Sequence, residues 1–141
     1  MSHDIEVTVT VDAPRPEVWR AFTVDVGMRP WWWADAGDVT FDLPERVDGR
    51  YRIASRSWGI AVSGWLLESD PPARQVVTWL PEGEAPPADP EFDQVTISLE
   101  PDGFGTAVTV HHTTHLSDPS EVEKAWQRLL DALVHIYDNT H

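Results

Sequence analysis

His111, His112 and His115 lie close together near the end of this 141-residue chain, and clustered imidazoles invite a metal or an acid–base reading. The run before them alternates as a strand, so His111 and His115 share one face. Four residues of extended chain place them ~13 Å apart, too far for one ion without a bend, and no metal site is expected. His112 falls on the other face, continuing Val108 and Val110 opposite Val95, Ile97 and Leu99 of the preceding strand. A histidine on an apolar wall either makes a structural hydrogen bond or meets a ligand, and both readings stand at this point. Tyr51 faces inward with Ile53, between outward Arg50 and Arg52. Its hydroxyl could meet a ligand oxygen or simply end a core strand at the surface. His135 and His141 read as surface positions, Arg56 and Arg74 as solvated charges, and Asp35 and Asp38 as turn formers.

No catalytic signature joins these residues. The chain has no Gly-x-Ser-x-Gly elbow, no His-Glu-x-x-His, no phosphate-cradling glycine loop and no dinucleotide fingerprint. Cysteine is absent, which removes disulfides, thiolate nucleophiles and cysteine metal sites. No cofactor is implied. What the chain has in abundance is tryptophan: eight indoles, each able to remove ~150–250 Å² from water. Trp19 and Trp126 sit on inward helix faces and read first as core. Trp32 and Trp33 lie in a short, irregular element and divide evenly between core and pocket wall. Trp65 falls on the strand face opposite Ile60, Val62 and Leu66, where it is either a lone exposed aromatic or a dimer contact.

The elements that position these residues read clearly. Ile5 to Val11 alternates as a half-buried strand, and Asp12-Ala13-Pro14 ends it. A helix starts near Pro16, with Val18, Trp19 and Phe22 inward. Residues 25–33 read as a second short helix or turn. Strands follow at about 38–42, 50–56, 60–69, 74–80, 93–100 and 104–113, punctuated by Gly49, Gly59, Pro71-Pro72, Pro81 and Gly103. The acidic, proline-rich segment 81–90 reads as a mobile loop. Asp118-Pro119-Ser120-Glu121 is close to a capping box, and Val122, Trp126, Leu129, Leu130, Leu133 and Tyr137 then form one apolar stripe. Such a stripe must be buried, and an antiparallel sheet is the large apolar surface available to it.

Length and composition bound the rest. One domain is expected, able to bury roughly two-thirds of its unfolded surface. A net charge of −14 disfavours nucleic acid and anionic lipid surfaces as partners. No apolar run approaches 18 residues and the first residues lack an export signal, so a cytoplasmic protein with no membrane span is expected.

Residues 64–79, GWLLESDPPARQVVTW, are similar to the hairpin of proteins that resemble the C-terminal domain of the Hsp90 ATPase activator, within the START-like, helix-grip superfamily. Asp12-Ala13-Pro14 with Val18-Trp19, Trp32-Trp33, Gly49-Arg50-Tyr51-Arg52, Gly105-Thr106 and Trp126 with Leu129 and Leu133 resemble further motifs of that family, in order, over nearly the whole chain. Asp48 and Ala125 stand where the family carries glycine. The resemblance implies an α+β helix-grip fold: a curved seven-stranded antiparallel sheet around a long C-terminal helix, with two short helices, in the order β-α-α-β6-α. It implies a small hydrophobic molecule held between that helix and the sheet, with Trp32, Trp33, Tyr51, His112, Trp126 and Leu130 as lining. It also suggests two alternatives. One is a polyketide cyclase or dehydratase-like enzyme with His112 as base and Tyr51 as acid. The other is a chaperone-associated interaction module with a cavity too small to hold a ligand.

Overall fold

The computed structural model describes residues 3–82, 93–114 and 119–138. Strand β1 (His3–Val11) leads into helix α1 (Arg15–Thr23), the four-residue helix α2 (Asp25–Met28) and a 3₁₀ turn at Ala34–Ala36. Strands β2 (Val39–Asp42), β3 (Arg50–Ser55), β4 (Ile60–Asp70), β5 (Arg74–Pro81), β6 (Asp93–Asp102) and β7 (Gly105–Thr114) follow, and helix α3 (Pro119–Asp138) closes the chain. The strands form one sheet in the order β1-β7-β6-β5-β4-β3-β2, with each pairing antiparallel. The expected strand spans hold to within a residue or two at each end. The expected loop over 81–90 lies, from residue 83 on, outside the described residues, as do Asp118 of the capping box, His115 and His141.

Period-two patterning explains how the sheet faces are assigned. On β7, Thr106, Val108, Val110, His112 and Thr114 are buried while the residues between them are half-exposed. On α3 the buried positions are Trp126, Leu130 and Leu133, spaced four and three apart. That single row cannot cover seven strands. The helix packs chiefly against β1, with Trp126 reaching Trp79 of β5, so the sheet's concave face is filled at its β1–β7 end and left without the helix over β3 and β4.

Helix α1 packs on β6 and β7, and with α2 and the segment joining β2 to β3 it faces the open part of the sheet across a cleft. Gly27 lets α2 lie directly on α1, because a Cβ there would fall 2.2 Å from the Arg20 carbonyl oxygen. Trp31 then clamps the pair: its indole N–H is shared between the carbonyls of Ala21 and Gly27, and its ring meets Phe22 edge-on at 5.1 Å. The β2–β3 segment is tied to β4 by two backbone bonds, Asp48 N–H to the Leu66 carbonyl (2.8 Å) and Leu66 N–H to the Gly49 carbonyl (2.9 Å). Asp48 adopts φ 71°, a left-handed conformation that glycine takes freely and aspartate tolerates better than most side chains. The resembled family's glycine at this position thus has a backbone reason.

A carboxylate fixes the far end of the same half-sheet. Asp38 accepts bonds from the Ser55 hydroxyl (2.7 Å), the Ser57 N–H (2.8 Å) and the Ser57 hydroxyl (2.9 Å). These donors, Ser55 first, hold its pKa below the ordinary 3.8. A depressed folded-state pKa means the stabilisation is fully present above that ordinary value and fades as pH falls through the lower folded one. The melting-temperature gap between wild type and Asp38→Asn is therefore expected to be constant down to about pH 4 and to shrink below it. A gap that does not change with acid would remove Asp38 from this role.

Candidate ligand-binding cavity

A cleft of about 720 Å³ opens between the bare part of the concave sheet and the α1–α2 roof. Its floor is the inward face of four strands, including Tyr51 and Ile53 on β3, Leu66 on β4, Val77 and Trp79 on β5, and Val95 on β6. Its roof carries Trp19 and Phe22 of α1, Met28 of α2 and Trp32 beyond it. Phe41, Asp42 and the segment from Leu43 to Arg46 form one side. Helix α3 contributes Trp126 at the inner end. The space thus lies beside the long helix rather than beneath it, because α3 occupies the β1 end of the sheet.

The six residues expected at the lining separate into two groups. Trp32, Tyr51 and Trp126 line the cleft. Trp33, His112 and Leu130 do not. Trp33 is half-buried at φ 47° and packs on Trp32 from behind, with centroids 5.8 Å apart. Leu130 is fully enclosed one turn further along α3. His112 sits on the concave face, paired across the ladder with Val95, but Trp79 and Trp126 cover it with ring centroids at 5.7 and 6.3 Å. Trp19, expected in the core, is half-buried and lines the roof.

Of the two readings open for His112, the structural hydrogen bond is the one in place. The Trp126 indole N–H donates to Nδ1 at 2.9 Å, so Nδ1 is the acceptor. Nε2 therefore carries the hydrogen and donates to the Asp93 carboxylate at 3.0 Å. Both ring nitrogens are engaged, and the ring is closed off from the cleft. Tyr51 is likewise committed: its hydroxyl donates to the Thr78 carbonyl at 2.5 Å. Burial pushes that hydroxyl well above its ordinary pKa of 10.0, which makes it a poor proton donor near neutrality. The hydroxyl oxygen can still accept a bond from a ligand.

Tyr51 reaches Thr78 across Gly64. The two residues are paired on β3 and β4, and a Cβ at Gly64 would fall 2.2 Å from the Thr78 carbonyl oxygen. Regular β4–β5 pairing runs to Ser63–Leu80 and resumes at Leu66–Val77. In the gap the Trp65 N–H uses the Thr78 hydroxyl instead, at 2.8 Å. The missing side chain makes the room in which Tyr51 covers the glycine, an aromatic-over-glycine arrangement on a pleated face.

Sequence reasoning missed Trp79, Phe22, Phe41 and Met28 as wall residues. Trp79 had a signal, since it shares strand parity with Val77; the others are placed by the helix packing and the fold of the β2–β3 segment. Away from the cleft, Trp65 is about half exposed on the convex face, with the Arg50 guanidinium 5.9 Å from its ring centroid. His111 pairs with Asp4 at 3.4 Å. No group of three His, Cys, Asp or Glu side chains among the described residues is placed to hold a metal ion. Nor is any helix among them long and apolar enough to cross a membrane.

A curved antiparallel sheet gripping a C-terminal helix, with an aromatic cleft beside it, is the helix-grip architecture of START-like proteins. The chain belongs within that class to the family described as Activator of Hsp90 ATPase homolog 1-like protein, whose profile matches residues 12–138. Protein MLL2253 from Mesorhizobium loti has the same fold, with TM-score 0.80 and 21% identity over 99% of both chains. So does DynU16, a protein of the dynemicin biosynthetic locus, with TM-score 0.78 and 21% identity over 97% of this chain but 47% of that one. The Aha1 dimer from Colwellia psychrerythraea aligns with TM-score 0.75 and 19% identity over 96% of both chains. Comparison with curated proteins returns no significant match.

Proposed function

We propose that this protein binds one small hydrophobic molecule in the cleft between the α1–α2 roof and the concave sheet. The observation that carries the reading is the cleft itself. Eight indoles could have filled the hollow, yet about 720 Å³ is left open. That volume lies within the range of small-molecule sites, about 300–1,000 Å³. Affinity would come mainly from burying ligand surface at ~25 cal/mol per Å² before the costs of association. The occurrence of the same fold in a protein of the dynemicin biosynthetic locus is in keeping with a small-molecule role. An acid–base pair for a cyclase reading would have to come from residues other than His112 and Tyr51, whose polar groups are engaged as described. A dimer or chaperone contact would use the convex face, where Trp65 and Leu67 stand exposed.

The test is binding of a neutral apolar probe, N-phenyl-1-naphthylamine, followed by its fluorescence. Saturable binding at one site per chain is expected. Val77→Phe projects a ring into the open floor without removing a buried contact. It is expected to weaken the probe at least about tenfold while leaving the melting temperature within a few degrees. Absence of binding, or equal binding by the variant, would overturn the assignment. Native mass spectrometry of freshly purified protein then reads any natural occupant as an adduct.

A further inference from the structure

We infer that the cleft's ligand is a flat aromatic molecule bearing a neutral hydrogen-bond acceptor oxygen, such as a ketone, and no carboxylate or other anion. This deepens the cavity reading above and rests on it. Three independent features of the wall carry it.

The first is shape and surface. Trp19, Phe22, Trp32, Phe41, Trp79 and Trp126 all line the cleft. Trp32, Trp79 and Trp126 meet at tilted or edge-on angles with centroids 5.1 to 6.0 Å apart, so they present a mixture of ring faces and edges. Such surfaces favour another ring, stacked or edge-on, over a flexible alkyl chain.

The second is an unused donor. Trp32 is 3% exposed, and its indole nitrogen is closed off from water with no hydrogen-bond partner among the described residues. The neighbouring indoles can offer it only a weak contact with a π-face. A buried N–H left in this state is costly, and an oxygen acceptor supplied by a ligand in the cleft that Trp32 lines would relieve that cost. Two other buried indole donors in this cluster are already served: Trp31 by two backbone carbonyls and Trp126 by His112. A Trp32 donor left unserved beside an open cavity sets it apart from both.

The third is the sign of the mouth. Three carboxylates, Asp25, Asp42 and Glu45, line it with the Arg46 guanidinium, and Arg29, paired with Asp25 and 5.4 Å over the Phe41 ring, brings a second cation to the rim, so the mouth keeps a small negative excess. The whole chain carries −14. An anion approaching this mouth meets net repulsion and must shed its water against an apolar wall. A fatty acid or aromatic acid is therefore selected against, although it too has acceptor oxygens.

The experiment compares three probes that share one ring system: 2-acetylnaphthalene, 2-ethylnaphthalene and 2-naphthoate. The ketone is expected to bind about tenfold more tightly than the ethyl compound, whose side chain has nearly the same shape. The carboxylate is expected to be the weakest. The ketone alone should move the Trp32 indole resonance downfield in a proton–nitrogen NMR spectrum, with the peak assigned by its loss in Trp32→Phe. Whatever it does to their shared affinity, that variant should bring the two neutral probes to within about twofold of each other. Equal binding of ketone and ethyl compound by wild type, tightest binding of the carboxylate, or an unmoved Trp32 resonance would each overturn the inference. Failure of all three probes would overturn the cavity reading with it.

Discussion

Gly64→Ala is expected to lower the melting temperature by roughly 10 °C, corresponding to about 3 kcal/mol for a domain of this size. The added methyl would sit 2.2 Å from the Thr78 carbonyl oxygen and 2.6 Å from its hydroxyl. The carbonyl contact cannot be relieved by turning a side chain away, because the carbonyl belongs to β5 itself. The sheet must open locally, and two bonds and a wall residue are at stake there. Thr78 accepts from the Tyr51 hydroxyl, its own hydroxyl accepts from the Trp65 N–H, and Trp79 follows directly in the cleft wall. Overpacking against backbone is among the most costly of small substitutions. A control at Gly59, whose Cβ would meet nothing, isolates the steric part from the left-handed backbone preference at that turn. Thermal unfolding followed by near-ultraviolet circular dichroism measures both, since eight indoles report on tertiary order. A Gly64→Ala protein melting within two or three degrees of wild type would show that the sheet yields there at little cost, about 1 kcal/mol or less.

His112→Ala should cost about as much, roughly 3 kcal/mol, for a different reason. It empties the space of a side chain that is 1% exposed and takes a hydrogen-bond partner from a polar group on each side. The Trp126 indole N–H would be left in the interior without its acceptor, and the Asp93 carboxylate, 12% exposed, would lose its imidazole donor. Trp126→Phe keeps most of the ring but removes the donor, leaving Nδ1 of His112 unpaired. Urea unfolding of both single variants and the double variant gives the coupling between the two residues. A coupling of about 1–2 kcal/mol is expected, since they act as one unit. Additive effects would mean that the hydrogen bond contributes nothing and that His112 serves only to fill space. Because Trp126 also lines the cleft, the same variants should disturb probe binding, whereas Leu130→Ala, which lies outside the lining, should destabilise the fold with little change in affinity.

Much of this was legible in the amino-acid order because it depends on local periodicity. Alternation over Ile5 to Val11 and Val108 to His112 assigns each strand face, since successive side chains must point to opposite sides. The 4-3 spacing of Trp126, Leu130 and Leu133 defines one helical stripe and the burial it demands. The pairing of Asp-Pro-Pro and glycine punctuation with short β-rich runs sets the strand boundaries. These are properties of a few consecutive residues, and they placed His112 on the concave face and Trp65 on the convex one.

What those patterns could not contain is which long-range partner each inward side chain meets. Parity says that His112 points inward; it does not say that Trp126, from an element closing the chain, arrives to occupy its Nδ1. Nor does it say that Tyr51 crosses Gly64 to spend its hydroxyl on Thr78. The position of the cleft was decided in the same way. The stripe on α3 is one residue row wide and packs against β1, so the far half of the concave face is left open beneath α1 and α2, which line the cleft from the other side. Trp19 and Trp79 thereby became wall, Leu130 became core, and Trp33 packs half-buried outside the lining. A sequence determines which faces must leave water, because hydrophobicity and chain geometry are local; only the assembled fold determines which of those faces touch and which are left looking at empty space.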